Sequence, residues 1–230
     1  GRALLTWADS GLADGAAGTA VLAQVVELRQ AGQALTGSAA ADDWVGTPWN
    51  DQLSGMGGLD RLAGGAGDDT YQPGSADATL VERANQGTFD SVLVAFDYRL
   101  ASGVHIERIA PVDPMSTAPL QLAGNEFANT VQGNAGDNSL NYLAGDGPAD
   151  TLVGGAGDDW YFVYRTGDQV LEDANNGLDR VFTRDSYTLA PGQSIEVFTT
   201  NDHAGTAPVV LVGNELANNL FGGALADSLS

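Results

Sequence analysis

Large apolar side chains return along this chain at one fixed place in a nine-residue unit, and the positions around them are small or polar. Four consecutive units begin at Gly37, Gly46, Gly55 and Gly64, with Trp44, Leu53, Leu62 and Tyr71 at the eighth place. A run of three residues with one central apolar side chain predicts a short strand that turns that side chain inward. The six residues before it are rich in glycine, asparagine and aspartate, which predicts a tight turn. Strand and turn repeating at a fixed short period predict a solenoid, in which each rung buries its inward side chain against the next.

The same unit returns further along. A second block starts at Gly124 and Gly133 and resumes at Gly145 and Gly154 after the insertion Tyr142-Leu143-Ala144; a third starts at Gly213 and Gly222. A longer repeat of about 90 residues encloses the blocks, since Gly64 to Asp69 recurs as Gly154 to Asp159 and Gly124-Asn125-Glu126 as Gly213-Asn214-Glu215. The spacers also match, with Glu82 answering Glu172 and Ile106-Glu107 answering Ile195-Glu196. They read as short strands, such as 91–96 and 195–199, broken by Ala-Ser-Gly and Ala-Pro-Gly turns. The expected organisation is an N-terminal segment over 1–36, blocks over 37–72, 124–162 and 213–230, and β spacers over 73–123 and 163–212. Within 1–36, the stretch 21–29 reads as strands closing a preceding copy, in preference to a helix.

The sixth place of each unit carries the chemistry. It holds Asp42, Asp51, Asp60 and Asp69 in the first block, Asn129, Asn138, Asp150 and Asp159 in the second, and Asn218 and Asp227 in the third. With two units per coil, each turn stacks on the one 18 residues later, so Asp42 faces Asp60 and Asp51 faces Asp69. Across the insertion, Asn129 faces Asp150 and Asn138 faces Asp159. Stacked carboxylates repel unless a cation bridges them, and glycine turns add backbone carbonyls, which together make a hard oxygen site suited to Ca²⁺. Thirty acidic residues against nine basic ones give a net charge of -21, which excludes a nucleic-acid partner and agrees with cation sites. There is no cysteine, hence no thiolate site or disulfide, and no apolar run long enough to span a membrane. The start at Gly1, without Met, and the stop at Ser230 in mid-pattern suggest a piece of a longer protein.

These units resemble the RTX, or haemolysin-type, calcium-binding nonapeptide, Gly-Gly-x-Gly-x-Asp-x-Leu-x; those at Gly64 and Gly154 match at every defined place except for Tyr at the eighth. The resemblance implies an all-β, right-handed parallel β-roll binding several Ca²⁺ ions. It also implies a secreted bacterial protein, exported unfolded by a type I secretion apparatus and folding in extracellular calcium. Carried onto this chain, it implies side-chain ligands at Asp42, Asp51, Asp60, Asp69, Asn138, Asp150, Asp159 and Asp227. The backbone ligands would come from Gly55, Gly57, Gly58, Gly64, Gly65, Ala66, Gly67, Gly154, Gly155, Ala156 and Gly157. The fourth place departs from glycine at Ala40, Trp49, Phe127, Pro148, Leu216 and Leu225, so full sites are expected around Gly55, Gly64 and Gly154.

No Gly-x-Ser-x-Gly elbow is present, and His105 and His203 stand alone outside any recurrent motif, so no catalytic centre is expected. Glu82 and Glu172 recur at equal places in the long period, which points to a structural role such as capping a turn. The leading expectation is a non-enzymatic calcium-binding module of a larger secreted protein. The alternative is an adhesin or surface-layer segment that binds glycans or neighbouring repeats. A polysaccharide epimerase or lyase ranks third, because the negative surface would repel an acidic substrate.

Overall fold

The computed structural model describes residues 3–6, 23–26, 31–142, 147–174, 176–200, 207–224 and 227–230. Among these there is strand and turn but no helix. β1 (Ala3–Thr6) and β2 (Ala23–Val26) form an antiparallel pair, unlike everything that follows. The first block supplies β3 (Ala34–Thr36), β4 (Asp43–Val45), β5 (Gln52–Ser54), β6 (Arg61–Ala63) and β7 (Thr70–Gln72). The spacer supplies β8 (Thr79–Val81), β9 (Ser91–Val94), β10 (Tyr98–Arg99) and β11 (Arg108–Pro111). Around the second block lie β12 (Gln121–Ala123), β13 (Thr130–Gln132), β14 (Ser139–Leu140), β15 (Thr151–Val153) and β16 (Trp160–Val163). The remainder gives β17 (Gln169–Leu171), β18 (Arg180–Thr183), β19 (Tyr187–Thr188), β20 (Val197–Thr200), β21 (Val210–Val212), β22 (Asn219–Phe221) and β23 (Ser228–Leu229).

From β3 onward every pairing is parallel and joins strands two apart, so odd-numbered strands build one face and even-numbered strands the other. This is a parallel β-solenoid with two strands per coil. The odd face runs from β3 to β17 as one eight-stranded sheet and resumes as β19-β21-β23; the even face is β4-β6-β8 and then a seven-stranded sheet from β10 to β22. The spacers therefore continue the coil, because β7 pairs with β9, β9 with β11 and β11 with β13. The spacer strand expected over 195–199 lies at Val197–Thr200, as Ile195 and Glu196 belong to the turn before it.

The inward side chains stack into ladders. On the odd face Leu53, Tyr71, Val92, Ile109, Val131 and Leu152 follow one another, and on the even face Leu122, Leu140, Tyr161, Val181 and Phe198 do the same. All are 0–1 % exposed. Burying one such side chain contributes roughly 1.5–3 kcal/mol, and the stack supplies the apolar core that parallel strands require. Tyr71 and Tyr161 are fully buried, so neither forms an external aromatic platform.

Candidate metal centre

The sixth-place side chains form two carboxylate ladders, one along each edge of the solenoid. One oxygen of Asp60, Asp69, Asp150 and Asp159 accepts the backbone N–H of the sixth residue one coil earlier. Asp42 N–H donates to Asp60 Oδ1 at 3.0 Å and Asp51 N–H to Asp69 Oδ1 at 2.7 Å. Asn138 N–H donates to Asp159 Oδ1 at 2.7 Å and Asn129 N–H to Asp150 Oδ1 at 2.9 Å. The ladder then runs into the spacers, where Asp69 N–H meets Asp90 Oδ1 at 2.7 Å and Asp159 N–H meets Asp179 Oδ1 at 2.9 Å.

The second oxygen separates the turns into two kinds. In the first kind it accepts an N–H from its own turn. Asp42 Oδ2 takes Ser38 N–H at 2.6 Å, Asp51 Oδ2 takes Thr47 N–H at 2.5 Å, and Asp227 Oδ2 takes Gly223 N–H. In the second kind, Oδ2 of Asp60, Asp69 and Asp159 is buried with no hydrogen-bond partner among the described residues. The backbone explains the difference. Among the described residues, positive φ occurs at the second and fourth places of just three units: Met56 and Gly58 (64° and 99°), Gly65 and Gly67 (108° and 109°), and Gly155 and Gly157 (109° and 110°). That conformation, which L side chains rarely adopt, reorients the peptide so that its N–H no longer caps the aspartate. The first-place glycine is needed for a separate reason, since a Cβ on Gly64 or Gly154 would fall on Oδ2 of Asp69 or Asp159.

A buried carboxylate oxygen without a partner carries a large desolvation cost, which a cation removes. The donor set fits calcium: carboxylate oxygens and glycine-turn carbonyls, with no nitrogen or sulfur. Burial, with neighbouring carboxylates adding to it, pushes Asp69 and Asp159 up to about 7. The groups brought together here are the turns 55–60, 64–69 and 154–159.

The remaining expected ligands sit differently. Asp42, Asp51 and Asp227 are capped by their own turns. Asp150 Oδ2 accepts Asn141 Nδ2–H at 2.9 Å, and its turn begins at Gly145, outside the described residues. Asn138 occupies the sixth place of a turn as its own cation substitute. Its Nδ2 donates to Asn134 O at 3.2 Å, Gly136 O at 2.5 Å and Asp159 Oδ1 at 3.2 Å.

Four residues outside the expected set join the site. One oxygen from each of Asp69, Glu82 and Asp90 lies within 4.8 Å of the others, and so do oxygens of Asp159, Glu172 and Asp179. All six side chains are buried. Tyr71 Oη accepts Gly64 N–H at 2.7 Å and donates to Glu82 Oε2; Tyr161 Oη donates to Glu172 Oε2. Their paired recurrence in the long period was the available signal, together with Tyr replacing Leu at the eighth place of just those units.

A parallel β-solenoid with glycine turns and two strands per coil has the architecture of a β-roll. Comparison with family models agrees: residues 36–79, 121–147 and 141–163 match the RTX calcium-binding nonapeptide repeat (4 copies), and the chain carries these repeats. That is a structural repeat family, not a class of enzyme. Comparison with curated proteins and with solved structures found no match.

Proposed function

We propose that this chain is a calcium-binding module of a larger secreted bacterial protein, completing its fold when it meets extracellular calcium. The observation that carries the reading is the set of three buried, unpartnered oxygens at Asp60, Asp69 and Asp159, each in a turn with positive φ at its second and fourth places. Each such turn holds one ion through its aspartate and the carbonyls around Gly55–Gly58, Gly64–Gly67 or Gly154–Gly157. The net charge of -21 supports the same reading, because cations offset a repulsion that opposes the closed coil. RTX repeats are typical of secreted bacterial proteins, and among the described residues no helix is long and apolar enough to cross a membrane.

Extracellular modules bind calcium with Kd values of about 10⁻⁴–10⁻³ M, far above cytosolic concentrations, so such a chain stays incompletely folded in the cell. That state suits export through a type I secretion apparatus. Circular dichroism of the purified chain in chelator and in millimolar calcium tests the reading. Strand signal that grows with calcium supports it; a spectrum indifferent to chelator rejects it.

A second reading has one observation in its favour. Trp160 and Tyr142 are about half exposed beside Phe162 and Phe182, with the Arg180 guanidinium 5.6 Å from the Trp160 ring centre. This aromatic strip on the even face is a surface on which a glycan could stack, as an adhesin or surface-layer segment would need. A glycan array probed with wild type and Trp160→Ala decides it, since binding that survives the substitution removes this surface from consideration.

A further inference from the structure

The last nonapeptide turn of the first block and that of the second are followed by a spacer and have no further nonapeptide to stack on. The next coil along the same edge belongs to the spacer, and at the place where a nonapeptide has its first glycine it carries Glu82 after β8, or Glu172 after β17. Each glutamate turns inward and is 2–4 % exposed. It is held there by the buried tyrosine, which donates its hydroxyl proton to Oε2. Asp90 and Asp179 end the spacer turns, and each supports the previous coil through Oδ1.

In the second copy, Tyr161 Oη, Asp159 Oδ2 and Glu172 Oε2 all lie within 2.7 Å of the point where a Cβ on Gly154 would stand. Two of the converging carboxylates carry a buried oxygen with no partner among the described residues: Oδ2 of Asp159, which faces this space, and Oδ2 of Asp179, from residues 0–1 % exposed. In the first copy Asp69 Oδ2 does the same. Ligands of one calcium ion at about 2.4 Å from the metal stand at most about 4.8 Å apart. The three carboxylates of each copy meet that limit. Three buried anions converging without a counter-charge are unfavourable unless neutralised.

We infer that Asp69, Glu82 and Asp90, and equally Asp159, Glu172 and Asp179, each bind a divalent cation at the junction between a nonapeptide block and its spacer. The spacer thus closes the site that the last glycine turn leaves open, and Glu82 and Glu172 are ligands in addition to capping the tyrosine. This rests on the calcium reading above, because Asp69 and Asp159 serve both the turn and the junction.

Calorimetric titration of the full chain with calcium, together with anomalous diffraction from crystals of the wild-type chain grown in Tb³⁺, tests it. Glu82→Gln and Glu172→Gln should each lose one bound ion from the wild-type count, and the double variant two. Asp60→Asn, in a turn that belongs to neither junction and lies on the opposite edge from the Asp69 turn, should lose a different one. In the wild-type crystal an anomalous peak should lie in contact with a Glu82 carboxylate oxygen and another with Glu172, a measurement that needs no variant to fold. Peaks at the Asp60 turn with none at the glutamates, or glutamine variants with an undiminished count, would overturn the junction sites while leaving the calcium module intact. Absence of ions from every turn would sink the module reading itself.

Discussion

At the scale of single residues, a turn's need for a cation is decided by one peptide orientation. Ser38 and Thr47 point an N–H at the aspartate of their own turn, whereas Met56, Gly65 and Gly155 do not. Gly67→Ala places a Cβ at φ 109° and against the backbone of Trp49, so it should destabilise the calcium-loaded fold by about 1–3 kcal/mol. A calcium-dependent melt that is unchanged would contradict the assigned conformation. The buried carboxylates also make the calcium-free fold sensitive to pH. Burial chiefly raises Asp69 and Glu82 to about 7 and Glu172 to about 8, above the ordinary values of 3.8 and 4.5 that they regain on unfolding. The folded state then holds protons that the unfolded state releases, so stability is lost as pH rises from about 4 to about 8. In chelator, melting should occur at higher temperature at about pH 5 than at about pH 8, and calcium should raise the melting temperature more at the higher pH. Melting in chelator that is insensitive to pH would mean that these groups ionise as readily inside the fold as in the unfolded chain.

Among the elements, two kinds of turn alternate with two kinds of glue. Asn125 and Asn129 donate side-chain amide protons to Ala101 O, Val104 O and Ile106 O at 2.7–2.8 Å. Asn214 and Asn218 do the same to Ala190 O, Gln193 O and Ile195 O at 2.6–3.0 Å. An amide nitrogen there supplies the positive edge that a cation would supply under the proposed function at the turns of Asp60, Asp69 and Asp159. Asn138→Asp replaces that donor with an anion facing Asn134 O, Gly136 O and Asp159. It should lower the melting temperature in chelator, bind one ion more than wild type, and regain stability in calcium; calorimetry and thermal melts check all three. The period, the inward eighth place and the 18-residue register were legible in the sequence, because each repeats often enough to stand above chance. The Tyr71–Glu82 contact was not, since it joins residues whose partnership depends on how the spacer coil folds back. The flipped peptide at Met56 was equally hidden, because methionine gives no hint of positive φ. Recurrence of Glu82 as Glu172 read as turn capping; Oε1 of each accepts the N–H of the next residue, whereas Oε2 takes the tyrosine hydroxyl beside the three-carboxylate cluster.

Over the whole molecule, the long period has a geometric consequence. From β8 to β17 is nine strands, an odd number in a coil of two, so successive copies are turned by half a coil. Ladder breaks after β8 and after β17 accordingly fall on opposite faces, and the two three-carboxylate clusters on opposite edges. Charge is thereby distributed to both sides of the solenoid, with the asparagine-stitched coils of 101–140 between the clusters. In a solenoid each coil contacts only its neighbours, so stability is assigned coil by coil and need not be lost all at once. The coils around β11 to β14 hold their turns with amide donors and bury Ile109, Leu122, Val131 and Leu140 at 0–1 % exposure, whereas the flanking turns hold the buried carboxylate oxygens of Asp60, Asp69 and Asp159 that lack a partner among the described residues. Hydrogen exchange in chelator should therefore find slow amides in β11–β14 and fast ones in β5–β7 and β16–β18. Calcium at 100 times Kd adds about 2.7 kcal/mol per site and should extend protection outward in both directions from that centre. Uniform exchange across all coils in chelator would show that the asparagine turns confer no independence from the metal. Protection centred there would give export an unfolded pair of flanks and refolding a template on which to wind them.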